Sequence, residues 1–132
     1  MPRLAHKKGG VNMNKVYIIS RYRASTEREQ ELNRNIARYF AKQIIYEDKI
    51  PVAPHLFYTQ FLDDSIESER ECGLGLGIHD LKHSDEFLLV IIDGVISSGM
   101  SEEIKVVSRL GMPGRIVTMS KREVLEQMKI VV

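Results

Sequence analysis

A chain of 132 residues with 19 Lys and Arg against 18 Asp and Glu carries a formal charge of +1. That is enough chain for one domain with its own core, and the charge balance gives no electrostatic basis for binding nucleic acid or an anionic membrane. No apolar run approaches the roughly 20 residues that cross a bilayer, and the N-terminus lacks the apolar core of a signal peptide, so a cytoplasmic protein is expected. The single Cys72 excludes an internal disulfide and a cysteine metal cluster, and is expected as a buried or half-buried inert thiol.

Residues 1–14 are basic, contain Gly9-Gly10 and show no periodicity, which reads as a flexible leader ahead of a single domain at residues 15–132. Lys15-Val16-Tyr17-Ile18-Ile19-Ser20 is a first strand. Thr26-Glu27-Arg28-Glu29 has the hydroxyl-to-carboxylate spacing of a capping box, and Leu32, Ile36, Phe40 and Ile44 follow at four-residue intervals. This predicts an amphipathic helix of about five turns. The prolines of Lys49-Ile50-Pro51-Val52-Ala53-Pro54 suit a short or edge strand. Residues 55–62 are too aromatic for an ordinary loop and are expected to lid a pocket or to pack on a second subunit.

Asp63-Asp64-Ser65 can cap a helix running from Ile66 to about His79. Its Gly73, Gly75 and Gly77 do not follow a strand and miss the dinucleotide-loop spacing, so they are read as points of close approach by a helix or a ligand. His79 and His83 have the spacing of a helical metal pair, but no adjacent third ligand is evident and no metal or other cofactor is expected. Phe87-Leu88-Leu89-Val90-Ile91-Ile92 reads as a strand buried on both faces. A small-residue turn, Ser97-Ser98-Gly99, joins it to a helix over residues 100–110, with Gly111 at its end. Residues 114–119 are a last strand, and Ser120 with Glu123 repeats the capping pattern before a final helix.

The alternation of strands and helices predicts an α/β fold of the flavodoxin or Rossmann-like kind. It would be a three-layer sandwich with a mostly parallel sheet of four to five strands, in the order 2-1-3-4. Ligands bind such sheets at the carboxyl ends of the strands, at the switch point between the first and third. There the sequence brings Tyr17 or Ser20, Arg21 and Arg23 toward Ser97, Ser98 and Glu103. Arginines beside hydroxyls and helix-terminal amides suit a phosphate or carboxylate. The plainer alternatives are solvated loop arginines and first-turn acids, Glu102 and Glu103, that only complement a helix dipole by ~0.3–1 kcal/mol each.

The chain also resembles the nucleoside 2-deoxyribosyltransferase superfamily, which includes the 2′-deoxynucleoside 5′-monophosphate N-glycosidases and related bacterial and phage domains. The resemblance is carried by Val16-Tyr17-Ile18-Ile19-Ser20-x-Tyr22-Arg23, Pro51-x-Ala53-Pro54-His55-Leu56, Glu69-Arg70 with Gly73, Asp85, and Ser97-x-Gly99-Met100-x-x-Glu103-Ile104. It implies a Glu103 nucleophile that forms a glycosyl-enzyme ester, oriented by Tyr17. Ser97, with Ser98, Gly99 and Met100 beside it, would touch the sugar or its phosphate, and Ser20 with Arg23 falls in the loop that holds a 5′-phosphate, where Arg21 departs from the usual Pro. It implies, too, an aspartate that protonates the leaving base about eight residues before Asp85. That position is Gly77, and Asp80 is the nearest stand-in, displaced by three residues. A nucleoside or nucleotide ligand and a homo-oligomer follow from the resemblance, with a non-catalytic nucleotide-binding module or an assembly protein as the alternatives.

Overall fold

The structure, a computed structural model, describes residues 13–128. The predicted leader lies outside the described residues except for Met13 and Asn14. Asn14, just ahead of the first strand, is hydrogen-bonded to the sheet: its carbonyl accepts from the Ile50 N–H at 2.9 Å, and its side-chain amide donates to Glu86 at 3.1 Å.

Four parallel strands, β1 (Lys15–Ile19), β2 (Ile50–Val52), β3 (Glu86–Ile92) and β4 (Gly114–Met119), form one sheet in the order β2-β1-β3-β4. The helices are α1 (Glu27–Tyr46), α2 (Pro54–Phe57, followed by a 3₁₀ turn at Tyr58–Gln60), α3 (Glu67–Lys82), α4 (Ser98–Leu110) and α5 (Lys121–Gln127). The expected three-layer α/β fold and strand order are therefore observed, with four strands. No helix among the described residues is long and apolar enough to cross a membrane.

Strand parity divides the core in two. Val16 and Ile18 of β1 and Leu88 and Val90 of β3 meet Leu32, Ile36, Phe40 and Ile44 of α1 and Val124 of α5. Tyr17, Ile19 and Leu89 point the other way and meet Leu81 of α3 and Met100 and Val107 of α4. β3 is thus covered on both faces, as its unbroken apolar run predicts. Leu88 and Val90 are 1% exposed, and burying such side chains stabilises the fold by about 1.5–3 kcal/mol each.

Local signals set the element ends. The Thr26 hydroxyl accepts from the Glu29 N–H at 3.2 Å, and Ser120 with Glu123 closes a complete capping box. Gly111, at φ 61°, takes the left-handed conformation that ends α4. Asp93 and Gly94, at φ 54° and 70°, make the turn that carries the chain off β3 toward α4.

Three expectations need correction. α3 is not capped by the Asp63-Asp64-Ser65 cluster and runs on to Lys82, with Ile66 at its N-cap and no side-chain cap bond. Asp63 folds onto its own turn instead, accepting from the Ser65 N–H at 2.9 Å and the Ser65 hydroxyl at 2.6 Å. Cys72 is exposed rather than buried, because α3 turns Gly77 and Leu81 inward and leaves Cys72 on its outer side. α4 begins at Ser98 rather than Met100, which moves Glu102 and Glu103 out of its first turn.

On the β4 edge, Gly114 lies directly opposite Phe87 in the ladder, and a Cβ there would stand against the Phe87 ring. The glycine is what lets the ring cover the strand end. Gly114→Val is expected to cost about 1–3 kcal/mol through overpacking, read as a lower urea midpoint. An unchanged midpoint would mean that the ring swings aside freely.

Candidate functional site

The parity that points Tyr17 toward α3 and α4 also builds the site. Ser97 is the N-cap of α4, its hydroxyl accepting from the Met100 N–H at 3.2 Å. With the helix started there, Met100, Glu103 and Val107 share the face that packs on the sheet. Glu103 is therefore carried to the buried Tyr17 hydroxyl, which donates to its carboxylate. A first-turn acid complementing the dipole would point to solvent. Glu103 is instead only 7% exposed.

Burial dominates the electrostatics of this pair. It pushes the Glu103 carboxyl up to about 7, the Tyr17 hydrogen bond pulling the other way. Burial, together with the adjacent Glu103, also holds the Tyr17 phenol above its ordinary value, so Tyr17 remains a protonated donor. A carboxyl balanced near neutrality beside a fixed donor can act as a nucleophile or as a proton carrier.

Above the pair opens a cavity of about 1260 Å³ between the β1–α1 loop, α2, α3 and α4. It exceeds the several hundred cubic ångströms of a typical small-molecule site. Of the residues singled out from the sequence, Tyr17, Ser20, Arg21, Arg23, Ser97, Ser98, Gly99, Met100 and Glu103 all line it. Ser20 reaches it from the strand end, since parity puts its side chain on the opposite face from Tyr17. Ser20 and Arg21 also border a smaller cavity of about 200 Å³ on the α1 and α5 side. Leu62, Leu74, Ile78 and Val106 supply apolar wall. Leu74 lies two turns before Leu81 on the same face of α3. Leu81 is fully buried against the sheet, whereas Leu74 overhangs the cavity and is 48% exposed.

Arg21 and Arg23 are exposed and partly engaged. The Arg21 Nε donates to the Arg23 carbonyl at 3.4 Å, and Arg23 pairs with Asp64 at 3.5 Å, tying the β1–α1 loop to the approach to α3. Asp80 does not join the cavity wall. Its carboxylate accepts from the Tyr58 hydroxyl at 2.7 Å. The residue that does stand at this place is Gly77, where a Cβ would lie 3.6 Å from the Tyr17 hydroxyl and from Pro54. Those are ordinary contact distances, so a Cβ would fit at Gly77, and Gly75 opens onto the cavity with nothing within 4 Å.

The aromatic stretch at residues 55–62 is split between two faces. His55, Tyr58, Thr59 and Leu62 line the cavity, while Phe57 and Phe61 point outward, 58% and 67% exposed. The His55 ring stacks on Tyr22 with centroids 4.8 Å apart. Burial pushes its imidazole down to about 4, so it is neutral at pH 7. His79 and His83 lie ring against ring at the end of α3, with centroids 4.2 Å apart. Among the described residues no group of three or more His, Cys, Asp or Glu is placed to hold a metal ion.

The sequence did not assign Asp64 or Arg70 to the cavity, whereas Tyr58 belongs to the stretch expected to lid a pocket or to pack on a second subunit. Arg70 did leave a signal, a cation near the start of a helix, where the dipole disfavours it.

Fold and site together define a doubly wound parallel α/β domain with a buried tyrosine–glutamate pair under a cleft at its topological switch point. Residues 14–117 match the family described as a domain of unknown function, DUF7768, and the chain belongs to that family. No curated protein matches the chain.

Proposed function

We propose that this protein is an N-glycosidic-bond enzyme, hydrolase or transferase, that acts on a nucleoside or nucleoside 5′-monophosphate with Glu103 as nucleophile. The observation that carries it is the buried Tyr17–Glu103 pair at the floor of a large, partly apolar cavity. The Glu103 carboxylate attacks the anomeric carbon as the bond to the base breaks, giving a glycosyl ester that water or a second base then cleaves. Tyr17 holds the carboxylate in line. Ser20, Arg21 and Arg23, with the start of α4 at Ser97, Ser98, Gly99 and Met100, offer hydroxyl, cationic and backbone donors to the sugar and its phosphate. The apolar wall and the Tyr22–His55 stack suit a planar base. In a homo-oligomer, Phe57 and Phe61 are the side chains a second copy would cover.

A non-catalytic nucleotide-binding module is favoured instead by one observation. The acid implied for the leaving base is absent from the cavity, where Gly77 stands and Asp80 is held by Tyr58. Loss of such an acid typically costs ~10²–10⁴-fold in rate.

The test is incubation of the protein with a panel of nucleosides and their 5′-monophosphates, with free base followed by chromatography. Base release is the expected result. No release, together with a nucleotide-dependent rise in melting temperature, would replace the enzyme with the binding module.

A further inference from the structure

Arg70 sits in the first turns of α3 and lines the cavity. Its Nε is the one buried side-chain nitrogen or oxygen, among the described residues, that lacks a hydrogen-bond partner. Leaving a buried donor unmade is costly, and more so on a charged group. The acids around it do not relieve the cost. Glu69 accepts from the Asp63 N–H at 3.1 Å, and Asp64 is paired with Arg23. Glu67 reaches only the Arg70 Nη1, at 3.9 Å, from a side chain that is 75% exposed. The charge is also placed near a helix N-terminus, where the dipole opposes it. The guanidinium is held against its own helix dipole with only one long contact to an exposed carboxylate, and its side chain, 28% exposed, borders the cavity.

We propose that Arg70 is the principal cation for the anionic group of the ligand, receiving two oxygens of a phosphate through its two terminal nitrogens. This rests on the nucleotide reading above and names which monophosphate contact the site depends on. The start of α4 opens into the same cavity and adds amide donors from the other side. Arg21 and Arg23, turned to the loop carbonyl and to Asp64, complete the rim. The planar fork is specific to arginine, so lysine cannot replace it.

Isothermal titration of the full chain with inorganic phosphate, and with a deoxynucleoside 5′-monophosphate and its parent nucleoside, tests the assignment. Arg70→Ala and Arg70→Lys are compared with Arg109→Ala, which removes an equal charge from the cavity wall at the last turn of α4. Both Arg70 variants are expected to weaken monophosphate and inorganic phosphate by about tenfold to a hundredfold and to leave the nucleoside unchanged. Circular dichroism melting of each variant shows that it is folded. Equal weakening by Arg109→Ala would overturn the assignment, since a diffuse field would then suffice. So would unchanged phosphate affinity in Arg70→Ala. The two proposals fail separately. Arg70-dependent phosphate binding without base release from any nucleotide upholds the anion site and sinks the reaction. Base release that ignores the 5′-phosphate and the Arg70 variants does the reverse.

Discussion

Glu103→Gln is expected to abolish base release, by at least about 10³-fold, and to raise the melting temperature at pH 8 while leaving it nearly unchanged at pH 4. The activity loss follows because an amide cannot form the glycosyl ester. The stability gain follows from linkage. The Glu103 carboxyl titrates at about 7 when folded against the ordinary 4.5, so the folded chain holds a proton that the unfolded chain has lost between those values. Stability therefore falls as pH rises through that window. The full penalty, about 3 kcal/mol, is present above pH 7 and absent below pH 4. Glutamine does not titrate and escapes it, worth several degrees for a domain of this size. Melting curves of both proteins from pH 4 to pH 8 check this. A difference that does not grow with pH would show that Glu103 is not held in a desolvating site. Retained turnover would remove it as nucleophile.

Tyr17→Phe is expected to move the pH profile rather than only the rate. The phenol donates to the ionised form of Glu103 and so opposes the desolvation that raises its pKa. Without that donor the carboxyl protonates at higher pH. Nucleophilic attack needs the carboxylate, so kcat/KM of the parent protein should rise with pH through about 7. In the variant the rising limb moves upward by about one to two pH units, a loss of about fivefold to fiftyfold at pH 7. Activity that falls with pH through 7 would instead make Glu103 a proton donor. A profile unmoved by the substitution would remove Tyr17 from the role of positioning residue.

Most of the architecture was legible in local patterns. Leu32, Ile36, Phe40 and Ile44 recur at helical spacing and are buried in α1. Phe87-Leu88-Leu89-Val90-Ile91-Ile92 forms the strand covered on both faces. Right-handed crossovers then leave the observed β2-β1-β3-β4 order as the natural one. α3 was the weak point. Gly73, Gly75 and Gly77 carry no hydrophobic signal, so the helix has no readable apolar face. Cys72 could not be assigned to the outside, nor Arg70 to the cavity. The start of α4 was missed by two residues because Ser98 and Gly99 are poor helix formers, carried there by the Ser97 cap.

Periodicity, caps and turn residues pointed to most of the elements, because each is decided among neighbours in the chain, and the alternation of strands and helices then implied the parallel sheet and its switch point. The site was decided only in three dimensions. Tyr17 and Glu103 lie 86 residues apart, and their contact requires the strand parity that sends Tyr17 to the α3 and α4 face and the α4 phase set by Ser97. Placing Gly77 at the Tyr17 hydroxyl while Asp80 turns to Tyr58 depends on the rotation of α3 against β1 and α2. Such rotations are set by packing across the whole sheet, and no window of sequence contains both partners.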